Sequence, residues 1–191
     1  MSTHVRVGMP RRILLRMAVA ACGGLCTRAL AQMAVRREAV EAAYLHKLPG
    51  FVEWPAQAFA SASSPIVVGL AGAPAVYEEL VRIAKGRLVA GRSVEPRVLE
   101  AVADAPHDLH VLFIGAEAVR TARALVEVAR ARHALVVTDL PDGLEAGAAV
   151  QFVEVDGRVR LQISLSGARK CGVKLRSQLM GVAYRVMEDG E

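Results

Sequence analysis

The chain has 191 residues, with 24 Lys and Arg against 19 Asp and Glu, for a formal charge of +5. Five of those bases are arginines within the first 31 residues, which hold no acid. The other 160 residues therefore balance 19 bases against 19 acids, and the surplus charge is no argument for a nucleic-acid partner.

The N-terminus has the layout of a secretory signal. Arg6, Arg11, Arg12 and Arg16 make a positive start, Met17 to Leu25 is an apolar stretch, and Ala29-Leu30-Ala31 supplies the small-x-small pattern for cleavage before Gln32. The apolar part is too short, and too soon interrupted by Arg28, to be a membrane span. "RRILLR" resembles a twin-arginine export signal with Pro10 in place of the usual Ser or Thr, and "VAAC" resembles an acylation box. Simple cleavage after Ala31 is the preferred reading. Residues 1–31 are thus expected to be an address and 32–191 a single exported domain. Cys22 and Cys26 leave with the signal, so Cys171 is the lone mature cysteine and no internal disulfide supports the core. A mature chain of about 160 residues is long enough for one core.

Val35 to Leu48 predicts a helix, with Val40, Tyr44 and Leu48 four apart; Pro49-Gly50 breaks it. Next comes "GFVEWPAQAFA", residues 50–60. Rings make up 4% of this protein, yet the segment holds the only tryptophan, Trp54, and two of the four phenylalanines, Phe51 and Phe59. Two uses fit: a plug where the first helix meets a sheet, or a partly exposed patch that docks a partner. Both can hold at once, with Trp54 inside and Tyr44 or Phe51 partly outside.

Ile66 to Leu70 reads as a buried strand, Pro74 to Lys85 as a helix stopped by Gly86, and Ser93 to Leu99 as a strand placed near an edge by Pro96. "LHVLFIG" from Leu109 is the clearest buried strand. Glu117 to Arg132 reads as a helix and Ala134 to Thr138 as a strand. This alternation implies a largely parallel sheet flanked by helices. "AVQFVEVDGRVRLQISL" breaks it: two alternating runs meet at Asp156-Gly157, a hairpin signal that sets Phe152 opposite Leu161 and Val150 opposite Ile163. A last helix is expected over Ser177 to Met187, offering Leu179, Met180 and Ala183 to the core. The fold class is α/β: one layered domain with a mixed, mostly parallel sheet and an antiparallel hairpin near the C-terminus.

Catalytic patterns are missing. The four mature histidines, His46, His107, His110 and His133, are scattered, and "HDLH" gives only two of the ligands that zinc needs. No G-x-S-x-G, H-E-x-x-H, P-loop or C-x-x-C occurs. "GLAGAP" stands where a phosphate loop would, without its spacing. Cys171 follows Arg169 and Lys170, which favour a reactive thiol, but it also fits a small buried residue before Gly172; if exposed, it is placed to pair between two chains. No catalytic residue, cofactor or metal is assigned.

"EAAYLHKLPGFVEWPAQAF", with Lys47, Phe51, Glu53, Trp54 and Pro55, resembles the N-terminal signature of the YfiR family. The resemblance continues through "VLFIGAEA" and "VTDLPDGLEAGAAVQFVEVDGRVRLQISLSGARKCGVKLRSQLM". It implies a non-enzymatic periplasmic protein that binds the sensing domain of an inner-membrane diguanylate cyclase and keeps cyclic di-GMP low. The implied partners are that cyclase or a sensor kinase, an outer-membrane lipoprotein that sequesters the repressor, and a second copy of the chain. Tyr44, Phe51, Glu53 and Trp54 are the candidate partner-binding residues. The cysteine pairs of the best-studied members have no counterpart beside Cys171. The competing readings are a periplasmic small-ligand module feeding a sensor kinase or transporter, with its pocket near Gly69 to Gly72, Gly115 and Asp139, and an α/β enzyme.

Overall fold

The computed structural model describes residues 37–188, so the expected signal segment lies outside the described residues. Helix α1 occupies 37–47 and tightens into a 3-10 turn, Leu48–Phe51, where Pro49 lacks the N–H to continue it. The strands follow: β1 (Val52–Glu53), β2 (Ile66–Ala71), β3 (Leu88–Val89), β4 (Arg92–Val98), β5 (Leu109–Ile114), β6 (Leu135–Thr138), β7 (Val150–Val155), β8 (Arg158–Ser164), β9 (Lys174–Leu175) and β10 (Arg185–Met187). Between them lie α2 (Pro74–Ala84), α3 (Ala122–Ala131), α4 (Leu165–Lys170) and α5 (Ser177–Met180).

Eight strands form one mixed sheet in the order β10-β8-β7-β6-β5-β2-β4-β3, and β1 pairs with β9 in a separate two-stranded ladder. The centre, β4 through β7, is parallel. Every residue of β2, β5 and β6 is buried, as continuous apolar runs covered on both faces must be. Helix α2 connects β2 to β4, and α3 connects β5 to β6 on the other side of β2. The winding therefore reverses between β2 and β5.

The hairpin has the expected register: Phe152 faces Leu161 and Val150 faces Ile163. Its two turn residues, Asp156 and Gly157, have φ of 52° and 69°, the left-handed values that match the strand twist. Strand β3 covers only Arg92 and Ser93 of β4, so Pro96 stands on an open flank where its missing N–H costs nothing.

Two expectations need correction. The helix expected from Glu117 begins at Ala122, after a 3-10 turn at Ala116–Ala118. The helix expected over Ser177 to Met187 ends at Met180. The chain turns at Gly181, and Arg185–Met187 lie parallel to β8 as the outer strand. Tyr184 N–H donates to Leu161 O at 2.8 Å, so the edge of β8 gains partners that a longer helix would have left unmet. No helix among the described residues is long and apolar enough to cross a membrane.

Candidate functional site: the aromatic cluster below β2 and β5

Trp54 leaves β1 half-buried, and its indole N–H donates to Pro49 O at 3.3 Å, which ties it to the turn after α1. Its ring stands edge-on to two others: His110 at 5.5 Å and 86°, and Phe59 at 6.2 Å and 84°. Phe59 stacks on the His110 imidazole at 4.4 Å and 19°. The Arg92 guanidinium covers the outer face of Phe59 at 3.8 Å, while its Nη1 donates to Ser61 O and Ser64 O at 2.9 and 2.7 Å. Edge-to-face and stacked rings, closed by a cation, are favourable beyond the area they bury.

His110 holds the cluster together because β5 carries one residue too many. Val67 pairs with Leu109 and Val68 with Val111, which leaves His110 as a bulge. Its Nδ1 accepts the Val67 N–H at 3.1 Å, and its Nε2 lies 2.9 Å from Ala58 O. Since Val67 must donate, Nδ1 carries the lone pair, and Nε2 carries the proton that Ala58 O accepts. The ring is 3% exposed, and burial pushes its pKa below the usual histidine range. Both nitrogens are committed to backbone, which leaves none for a metal. His107 is exposed and takes no part.

In front of the cluster is a hollow of about 420 Å³, walled by Trp54, Phe59, Pro49 and Glu53, with Arg92 and Arg176 beside it. Glu53 is exposed in a two-residue ladder opposite Lys174. Phe51 is half-buried, and its carbonyl accepts the Arg176 N–H at 2.9 Å. Tyr44 lies elsewhere: its ring packs 5.8 Å from Phe152, which is itself 5.8 Å from Phe113 in the core. So Glu53 and Trp54 share one hollow, whereas Tyr44 belongs to the contact of α1 with β7. Arg92 and His110 come from distant strands; the HDLH pattern had marked His110 only as one of two possible metal ligands, and nothing had marked Arg92. The turn after α5 exposes Val182 and Tyr184, at 64% and 57%, while Leu179 and Ala183 pack on the core as expected.

The other sites expected from sequence are changed by the fold. Cys171 has no exposed surface; it caps α4, and burial raises the thiol pKa. The exposure that a bridge between chains requires is therefore not met. At the carboxyl ends of the strands, a hollow of about 520 Å³ reaches Leu70 to Gly72, beside Tyr77, Glu117 and Arg120. Its floor is sealed by backbone contacts. Gly115 N–H donates to Ala71 O at 2.8 Å, Glu117 N–H donates to Gly72 O at 3.2 Å, and a Cβ at Gly72 would stand 2.2 Å from Ala118 N. The loop after β5 thus occupies the space that a phosphate would need. Asp139 is not part of that hollow: it faces Arg37 at 3.7 Å. Among the described residues, no group of three or more His, Cys, Asp or Glu is placed to hold a metal ion.

A family model described as YfiR/HmsC-like matches residues 38–184. No curated protein matches the chain. Among solved structures, a conserved domain protein from Vibrio cholerae O1 biovar El Tor is similar at 13% identity and a TM-score of 0.46, over 63% of this chain and 54% of the other. The ABC domain from Streptococcus pneumonia, solved in complex with L-Trp, is similar at 9% identity and a TM-score of 0.51, over 79% of this chain and 60% of the other. The chain thus spans between about half and three fifths of these two proteins. At 9% identity the likeness to the second is one of fold alone.

Proposed function

The chain belongs to the YfiR/HmsC-like family, and from that premise we propose that it is a non-enzymatic periplasmic repressor of an inner-membrane diguanylate cyclase. Membership suggests a periplasmic regulator of diguanylate cyclase signalling, and the family is regulatory rather than catalytic. On this reading the chain binds the cyclase's periplasmic sensing domain and holds cyclic di-GMP synthesis low. The carrying observation is the family match across nearly all of the described domain. On this reading the contact surface centres on Glu53 and Trp54, which share one hollow, with half-buried Phe51 next to them in the chain and Tyr44 apart from them on the α1–β7 contact. An exposed acid beside a half-buried ring is a usable anchor, since buried aromatic residues dominate most interfaces.

Deleting the gene should raise cyclic di-GMP and biofilm formation, and an exported copy should reverse both. Glu53→Ala is the sharper probe, because Glu53 is exposed and alanine sets no second cation opposite Lys174. The variant should keep its circular dichroism spectrum and melting temperature yet fail to restore low cyclic di-GMP. Unchanged cyclic di-GMP in the deletion strain, with the cyclase expressed, would overturn the reading.

One observation favours a second reading, a small-ligand module: two basic residues, Arg92 and Arg176, line the hollow at Trp54. Saturable quenching of the single tryptophan by a small anionic aromatic compound would support it.

A further inference from the structure

Helix α1 packs on the sheet with Ala42 and Leu45 fully covered, Leu48 of the following turn is buried as well, and the helix buries Glu41 beside them at 1% exposure. A carboxylate so placed needs a partner, and its partner is Arg37, one turn earlier, whose Nε donates to Glu41 Oε1 at 2.8 Å. That guanidinium is already shared. Asp139, just past β6, lies 3.7 Å from Arg37 Nη2, and Glu38 sits next to it on the helix. Glu154 on β7 adds a more distant negative charge. Two buried oxygens in this group, Glu38 Oε2 and Asp139 Oδ1, have no hydrogen-bond partner. Glu41 and Asp139 therefore share one cation, Arg37, and Glu38 adds its negative charge beside both carboxyl groups.

Burial is the larger effect. It pushes Glu41 up to about 7 despite Arg37, and it raises Asp139 as well. The far end of α1 carries a group of opposite character. His46 is 7% exposed, its Nε2 has no partner, and Arg87 and Lys47 face it. Burial and those two cations hold its pKa below the usual histidine value.

We propose that the docking of α1 is a pH-sensitive latch, tightened when the carboxyl cluster at Arg37 takes up protons and loosened as the medium rises past neutrality. The sign follows from linkage. Glu41 binds its proton more tightly docked than undocked, so protonation favours the docked helix. That support is full below about pH 4.5 and is withdrawn as pH rises to about 7 and beyond. His46 works against it on the acid side: its docked form disfavours charge, so its contribution is full above about pH 6.5 and falls below that. The helix is then held best in mildly acid medium. The latch does not depend on the regulatory reading; if that reading holds, it acts on the element that leads into Trp54.

Amide hydrogen exchange of the peptides covering 37–48, corrected for the intrinsic pH dependence, tests this on the intact exported domain. Glu41 alone should raise the opening of α1 about tenfold between pH 6 and pH 8, the change expected for an acid moved from about 4.5 to about 7, and His46, which regains its support up to about pH 6.5, should offset part of that rise. Amides of β2 and β5 should not follow it. Glu41→Gln, which keeps an oxygen for Arg37, should remove the rise. A carbon-detected titration of the Glu41 carboxyl in the unaltered protein gives a check that needs no variant, with a midpoint near 7 expected. A midpoint near 4.5, no change in α1 opening over this range, or the same rise in Glu41→Gln would overturn the proposal.

Discussion

His110 takes the place of a strand. Its Nδ1 accepts the N–H of Val67 at 3.1 Å, at the point where the β2–β5 ladder slips by one residue. A side chain thereby repairs a hydrogen bond that the bulge would otherwise leave open, and the same ring forms the floor under Phe59 and Trp54. The geometry of the aromatic cluster is therefore set by a main-chain irregularity some fifty residues away in sequence.

Replacing this ring has a calculable effect. His110→Ala should cost about 2–4 kcal/mol, because it leaves the Val67 N–H and Ala58 O unpaired and opens a cavity. Protonation should act in the same direction. The folded form holds the imidazole neutral, so its contribution is full above about pH 6.5 and declines as pH falls toward the lowered folded value. Urea unfolding at pH 7.5 and pH 5 should show this loss, and the loss should be smaller in His110→Ala.

Trp54→Ala should destabilise the domain by about 2–3 kcal/mol. A fully buried ring would cost about 3–5 kcal/mol, and this one is only half covered. Circular dichroism must follow the denaturant titration, since the variant lacks the only tryptophan. A change below about 1 kcal/mol would mean that the packing on His110 contributes little.

Gly72 and Gly157 both have positive φ, 63° and 69°, yet they should respond differently to alanine. At Gly157 an added Cβ meets nothing within 4 Å, so the cost is backbone strain alone, about 1 kcal/mol. At Gly72 the Cβ would collide with the Ala118 backbone, so the loops after β2 and β5 must separate. The loss there should exceed about 3 kcal/mol. Melting curves of the two variants give the comparison directly.

Cys171 should be inert in the native protein. A thiol reagent should react only on the unfolding timescale, and non-reducing electrophoresis should show no bridged dimer through this residue. Cys171→Ser should cost about 1–3 kcal/mol, because a more polar hydroxyl is buried where the Val136 backbone is the partner at hand.

Much of the architecture was legible from short-range pattern. The continuous apolar runs at Ile66 and Leu109 marked buried parallel strands, and Asp156-Gly157 specified the hairpin down to the pairing of Phe152 with Leu161. Where pattern was weak, it misled. Leu179, Met180 and Ala183 fit a helical face, but three residues are too few to outweigh the unpaired edge of β8, and the chain became a strand at Arg185.

The sequence by itself determined the buried strands, the main helices, the hairpin register and the family resemblance. Each of these depends on side-chain periodicity or turn angles within about ten residues, or on a string of motifs in order. The neighbours of Trp54, the sealing of the crevice at Gly72, the burial of Cys171 and the meeting of Glu41 with Asp139 were decided only by the tertiary structure. They depend on which strands the crossovers bring together and on a one-residue slip in a ladder. A polar or aromatic side chain has no fixed role until that packing decides which partners it meets and how much water it keeps.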